Sequence, residues 1–182
     1  MKRFFSAILL AVALTTYVIA APPAKPAKAA SVGDWVEMKT ITEIDGKTME
    51  QTIRQEVTKV EKTLLFVKNR VTSHGKTFIE NVMKLSTADS PSPGKAEKRN
   101  VTIVEKIGEG YETLTLGGKA YKCHWIKKRM TTTIQGRKIT VVSTAWNCPD
   151  VPVTNLVKRV IEQDGPKKFL ITQALTNLGY GK

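Results

Sequence analysis

Four times in this chain a β-favouring run breaks at a two-residue turn ending in glycine, and each turn is followed by a basic residue. The four are Asp45-Gly46-Lys47, His74-Gly75-Lys76, Gly117-Gly118-Lys119 and Gln135-Gly136-Arg137. Asp-Gly and Gly-Gly are strong hairpin signals, because a type I′ turn needs positive φ at both central residues. Each such turn folds a strand back on the one before it. The flanking runs are rich in Val, Ile, Thr and aromatic residues, which suit a pleated, half-buried surface. Several alternate with period two: Met49, Ile53 and Val57 share a face, and so do Leu65, Val67 and Val71. Strands are predicted over 35–42, 48–60, 63–72, 77–85, 101–107, 111–116, 120–133, 139–147, 156–163 and 169–175. The fold class is therefore mainly β. It is a single curved antiparallel sheet, a half-barrel or open barrel of about ten strands, with at most one short helix. Residues 153–163 are the stretch where helix competes, since Leu156, Val157, Val160 and Ile161 fit one helical face. The Ser/Pro/Lys-rich segment 86–100 separates the two halves of the meander as a loop.

The beginning of the chain sets the compartment. Lys2 and Arg3 form a positive n-region, Phe4 to Leu14 is apolar, and Val18 and Ala20 occupy the −3 and −1 positions of a cleavage site. This is the pattern of a secretory signal, with cleavage before Ala21. The division is 1–20 signal peptide, 21–31 Pro/Ala/Lys linker, and 32–182 one antiparallel β domain. The predicted location is exported, periplasmic or extracellular. No later apolar run is long enough to span a bilayer, so the cleaved chain is not expected to be an integral membrane protein. The whole sequence carries a formal net charge of +13. Removing a leader that holds two basic and no acidic residues leaves it strongly basic. Such a balance suits contact with lipid, lipoprotein or an anionic envelope component, and no specific nucleic-acid partner is expected.

The register of one hairpin makes a specific prediction. If the strands either side of Gln135-Gly136 pair regularly, Cys123 faces Cys148 and Trp125 faces Trp146. Facing cysteines in an exported protein predict a disulfide, stabilising by about 3 kcal/mol on the chain-entropy model. A β-bulge in the hairpin would break that register.

A search for chemistry finds no catalytic or metal constellation. Cys123 and His124 are adjacent in a strand, so their side chains leave opposite faces and form no dyad. Two histidines and two cysteines at these spacings match no zinc site. Nucleophile elbows, P-loops and dinucleotide-binding glycine runs are absent from the sequence. Glu105, Glu109 and Glu112 read as solvated strand acids. Lys127, Lys128 and Arg129 form the densest basic cluster within a strand, with Lys127 and Arg129 on one face and Lys128 on the other. Trp35, Phe66, Phe78, Trp125 and Trp146 are the candidates for ligand lining or core. The chain is expected to be no enzyme and to need no cofactor.

Several short segments carry a family resemblance. Gly33-Asp34-Trp35-Val36-Glu37 opens the domain, and the strand from Lys119 to Trp125 follows later. Then come Trp146, Val151-Pro152, Asn155-Leu156-Val157-Lys158 and the tail Leu178-Gly179-Tyr180-Gly181. This layout resembles uncharacterised secreted bacterial β-rich proteins and is distantly similar to the lipoprotein-carrier (LolA-like) half-barrel group. The resemblance implies a curved sheet with a concave apolar face and supplies no catalytic residues. The chain departs from the carriers in lacking a long lid helix. The function expected is that of a noncatalytic envelope protein, binding an apolar or amphiphilic ligand or partner segment on its curved sheet. The alternative is a basic structural or interaction module that binds anionic polymer or a membrane surface. A hydrolase ranks third.

Overall fold

A computed structural model describes residues 30–181, apart from 63, 87–102, 135–136 and 164–167. The leader and residues 21–29 of the linker lie outside the described residues. The fold begins with β1 (Trp35–Ile44), β2 (Lys47–Glu61), β3 (Leu64–Ser73) and β4 (Lys76–Ser86). It continues with β5 (Ile103–Leu116), β6 (Lys119–Ile134), β7 (Arg137–Asn147), β8 (Leu156–Gln163) and β9 (Phe169–Gly179). All nine join one antiparallel sheet in the order β4-β3-β2-β1-β9-β8-β7-β6-β5. Two meanders, β1 to β4 and β5 to β9, meet where β1 pairs β9. The segment between β4 and β5 therefore connects the two edges of the sheet, and it does not close into a barrel.

The turns behave as their glycines require. Asp45 and Gly46 have φ of 49° and 75°, and His74 and Gly75 have 50° and 74°. Gly117 and Gly118 have 57° and 77°, so all three are of the primed, positive-φ kind. The Gln135-Gly136 turn lies outside the described residues, but the strands either side pair from Ile134↔Arg137 through to His124↔Asn147 without a break.

Two predicted strands prove to be one. The runs at 101–107 and 111–116 fuse into β5, because Gly108 and Gly110 do not end the strand but carry it past a register shift between Lys106 and Gly108. Their missing side chains leave room for Trp125, whose ring lies so close that a Cβ on Gly110 would come within 2.9 Å of it. Residues 156–163 are strand rather than helix. There the β-branched content prevails because both neighbouring strands, β7 and β9, offer it ladder partners.

One face of the sheet is buried although, among the described residues, no helix or second sheet covers it. Burial comes from curling of the sheet about that face and from the loop between β7 and β8. On β1 the buried positions alternate strictly: Val36, Met38, Thr40 and Thr42. The main core cluster gathers Val36, Met38, Leu175, Val157 and Ala145 with Tyr121 and Cys123 of the β5–β6 hairpin. A second cluster holds Val57, Leu65 and Val67, and a third holds Val141, Ile161 and Ile171. In the β7–β8 loop, Val151 is fully buried in the main cluster, and Val153 packs against both the first and second clusters. Val153 reaches that position at φ 68°, a conformation that β-branched residues avoid.

The cysteines require a correction. Cys123 and Cys148 are free buried thiols and form no disulfide. The register that would oppose them is present, but the β6–β7 ladder ends one step short, at His124↔Asn147. Cys148 has already turned into the loop, where its N–H donates to the Asn155 carbonyl at 2.8 Å. The Cys123 thiol points to the Tyr121 carbonyl at 3.4 Å, and the Cys148 thiol points to Asp150 Oδ2 at 3.9 Å.

Candidate ligand-binding groove

The pairing of β2, β1, β9 and β8 places Gln51, Thr40, Gln173 and Arg159 side by side across the buried face. Neighbouring strands lie about 4.8 Å apart, so the four positions span roughly 14 Å. On one side the next row contains Ile53, Met38 and Leu175. On the other it contains Met49, Thr42, Ile171 and Ile161. A polar row thus runs between apolar rows. On β7, Ser143 adds a buried hydroxyl facing Ile161, and Lys128 stands opposite Ser143 on β6.

Two members of this row lack the partners that burial demands. Arg159 is 7% exposed and its Nε–H has no hydrogen-bond partner. Among the described residues no carboxylate lies within ion-pair distance of it. Desolvation lowers its pKa to about 10, which still leaves the guanidinium charged at neutral pH. Thr40 is 3% exposed, and its Oγ1 is also unpartnered. Buried groups of this kind are rare and call for an explanation, because each forfeits hydrogen bonds it made with water.

Burial of the inner face is uneven. It is complete over much of β1 and around the β7–β8 loop. Elsewhere Met49 and Ile53 on β2, Ile79 and Met83 on β4, and Ile126 and Met130 on β6 are half-buried. Each faces a core or inner-row residue in the ladder: Met83 opposite Val67, Ile79 opposite Val71, Met130 opposite Val141. These side chains mark the less covered stretches of the face, the candidate trough for a ligand. Methionine suits such a lining, because its unbranched thioether side chain adapts to the shape of what it contacts.

The aromatic candidates lie elsewhere. Trp35 and Phe66 occupy the outer face, at register positions opposite to those of Val36 and Val67. Trp125 and Trp146 lie opposite in register to Ala145, on the side of β6 that carries the buried Cys123, and Trp146 packs against the main core cluster. Trp35 lies over Gly179 and under the Arg54 guanidinium, 3.9 Å from the ring centre. Phe66 lies between Lys59 and Lys84. Trp125 faces Trp146, as the hairpin register predicts, and Trp146 Nε1 donates to Glu112 at 2.7 Å. Phe78 falls at a register shift on the edge strand β4 and is 64% exposed. None of the five lines the trough. Of the basic cluster, Lys127 and Arg129 are exposed on the outer face, and Arg129 pairs with Glu105 at 3.1 Å. Lys128 turns to the inner face and is half-buried. The outer face carries further ion pairs, Lys39–Glu50 and Glu80 with both Lys68 and Arg70. His124 stacks on Tyr111 with ring centres 5.0 Å apart and lies 3.5 Å from Glu109.

Sequence reasoning missed the polar row. Gln51, Thr40, Gln173 and Arg159 were not among the residues the sequence singles out. The one available signal was that each sits in phase with apolar residues two positions away on its own strand.

No family model matches this sequence, and no curated protein matches it. Two solved structures resemble it. One is a protein inferred to be exported, with a YmcC-like fold, from Bacteroides fragilis; it has a TM-score of 0.54 at 14% identity and covers 82% of this chain and 97% of its own. The other is an inferred lipoprotein from Parabacteroides distasonis; its TM-score is 0.52 at 14% identity, covering 82% of this chain and 96% of its own. At that identity the likeness is one of fold: this chain shares the rolled, single-sheet architecture of those two proteins.

Proposed function

We propose that the chain works outside the cytosol as a noncatalytic envelope protein that takes up an apolar or amphiphilic ligand along the inner face of its sheet. The observation that carries this reading is the half-buried methionine and isoleucine lining of a face that no helix or second sheet covers among the described residues. Apolar surface of that kind, rimmed by polar strands, marks a binding site more often than a defect. The leader motif supports export, and so does the description of the two structural neighbours as an exported protein and a lipoprotein. The likeness to the lipoprotein-carrier group, which is one of architecture, points the same way.

The test is direct. The cleaved chain, residues 21–182, is titrated with 1-N-phenylnaphthylamine, an apolar probe that brightens when desolvated. Saturable brightening is expected, with at least a fivefold loss of affinity in Met83→Asp and Met130→Asp, which place a charge in the trough. No saturable signal, or a signal unchanged by both substitutions, rejects the proposal.

A further inference from the structure

We infer that the ligand of the inner face is an anionic amphiphile, whose headgroup is bound by Arg159 and whose hydrocarbon part lies along the apolar rows beside it. This rests on the reading of that face as a ligand groove and specifies what the groove selects. Arg159 is a full positive charge in a site that water barely reaches, with an unpartnered Nε–H. A charge left so is costly unless something of opposite sign joins it. The inner-face positions of β1, β2, β3, β7, β8 and β9 supply no carboxylate, and Glu109 of β5, three strands along the same row, is engaged by Lys106 and lies beside His124. The acids of those strands, such as Glu37, Glu43, Glu50, Glu56 and Glu162, fall in the outer-face register.

What surrounds Arg159 is suited to oxyanions. Gln173 is its neighbour in the ladder, Thr40 comes next with an unpartnered hydroxyl, and Gln51 follows. Ser143 and Lys128 lie one row away. Guanidinium binds carboxylate or phosphate oxygens through paired N–H donors, and amide and hydroxyl groups supply further donors. On either side of this row the nearest positions are mainly apolar, at Ile53, Met38 and Leu175 on one side and Met49, Ile171 and Ile161 on the other, with Thr42 among them. Toward β4 and β6 it is half-open, at Met83 and Met130. The pattern fits a molecule with one acidic end and one greasy end better than a free anion, which would have no use for the flanking rows.

Binding of laurate, dodecan-1-ol and inorganic phosphate to the cleaved chain is compared by calorimetry at pH 7.5. Laurate is expected to bind at least tenfold more tightly than dodecan-1-ol, the same chain without the charge. In Arg159→Gln that preference should vanish while dodecan-1-ol affinity stays within about twofold, and in Arg159→Lys part of the preference should survive. The ligand-free Arg159→Gln protein should melt no lower than the parent, since it loses an unpaired buried charge. A purely structural arginine would give a lower melting temperature and an equal loss of both ligands. Equal affinity of the parent for laurate and dodecan-1-ol overturns the headgroup assignment and leaves the apolar groove standing. Phosphate binding without laurate binding overturns the amphiphile. Failure of both laurate and dodecan-1-ol overturns the groove itself.

Discussion

The thiol of Cys123 is 1% exposed, and desolvation, with the nearby Cys148 thiol as a lesser cause, pushes its pKa to about 11. Cys148 is shifted upward too, first by desolvation. Thiolate is the reactive form, so neither residue should react with iodoacetamide at pH 8 while the protein is folded, and both should react in urea; mass spectrometry of the labelled chain decides. The same shift has a stability consequence. The unfolded chain gives up these protons near pH 9, whereas folded Cys123 keeps its proton until about pH 11. The stability they supply is intact below pH 9 and drains away as pH rises toward 11, which urea midpoints across that range would show. Asp34 is the other residue with wide reach. Its Oδ2 accepts the Ser31 N–H and its Oδ1 accepts the Gly181 N–H, each at 2.8 Å, so one carboxylate ties both ends of the domain. Little of this was legible beforehand. Asp34 and Arg159 look like surface residues in the sequence, and their environment depends on strands far away in the chain. A residue's own neighbours reveal its strand phase but not whether the sheet curls over it.

Strands and turns were far more legible, because their causes are local. The β6–β7 register follows from one turn and delivers Trp125 opposite Trp146. It misled at the cysteines because the ladder stops at Asn147, just before Pro149, a residue with no N–H to offer a ladder. The glycines of β5 misled in the other direction: the strand was divided at them, but they serve as a floor for Trp125. Alanine at Gly110 would bring a Cβ to 2.9 Å from that ring, so Gly110→Ala should lower stability by about 1–3 kcal/mol in urea titrations, with a smaller loss for Gly108→Ala, where the gap is 3.3 Å. The β7–β8 loop acts as a plug rather than as a connector. Truncating its fully buried Val151 to alanine should cost about 2 kcal/mol by the same measurement, a core-sized loss from a loop residue.

At the scale of the molecule, a net charge of +13 suggested a basic surface, yet many outer-face cations face a carboxylate across the strands. Those pairs are exposed and individually worth little, but they break the positive field into small patches. Binding to heparin should therefore be weak and should disappear by about 0.2 M salt, well within the range where screening removes exposed contacts. Retention on a heparin column at higher salt would favour the anionic-polymer alternative. The central pairing of β1 with β9 carries a different consequence. The first strand of the domain finds one of its two neighbours only after the seven strands between them have emerged, so the halves can form hairpins early but cannot lock together until β9 follows. The export proposed above calls for a chain that stays loose while it is handed over. Placing the strand that completes the sheet at its middle builds that delay into the topology.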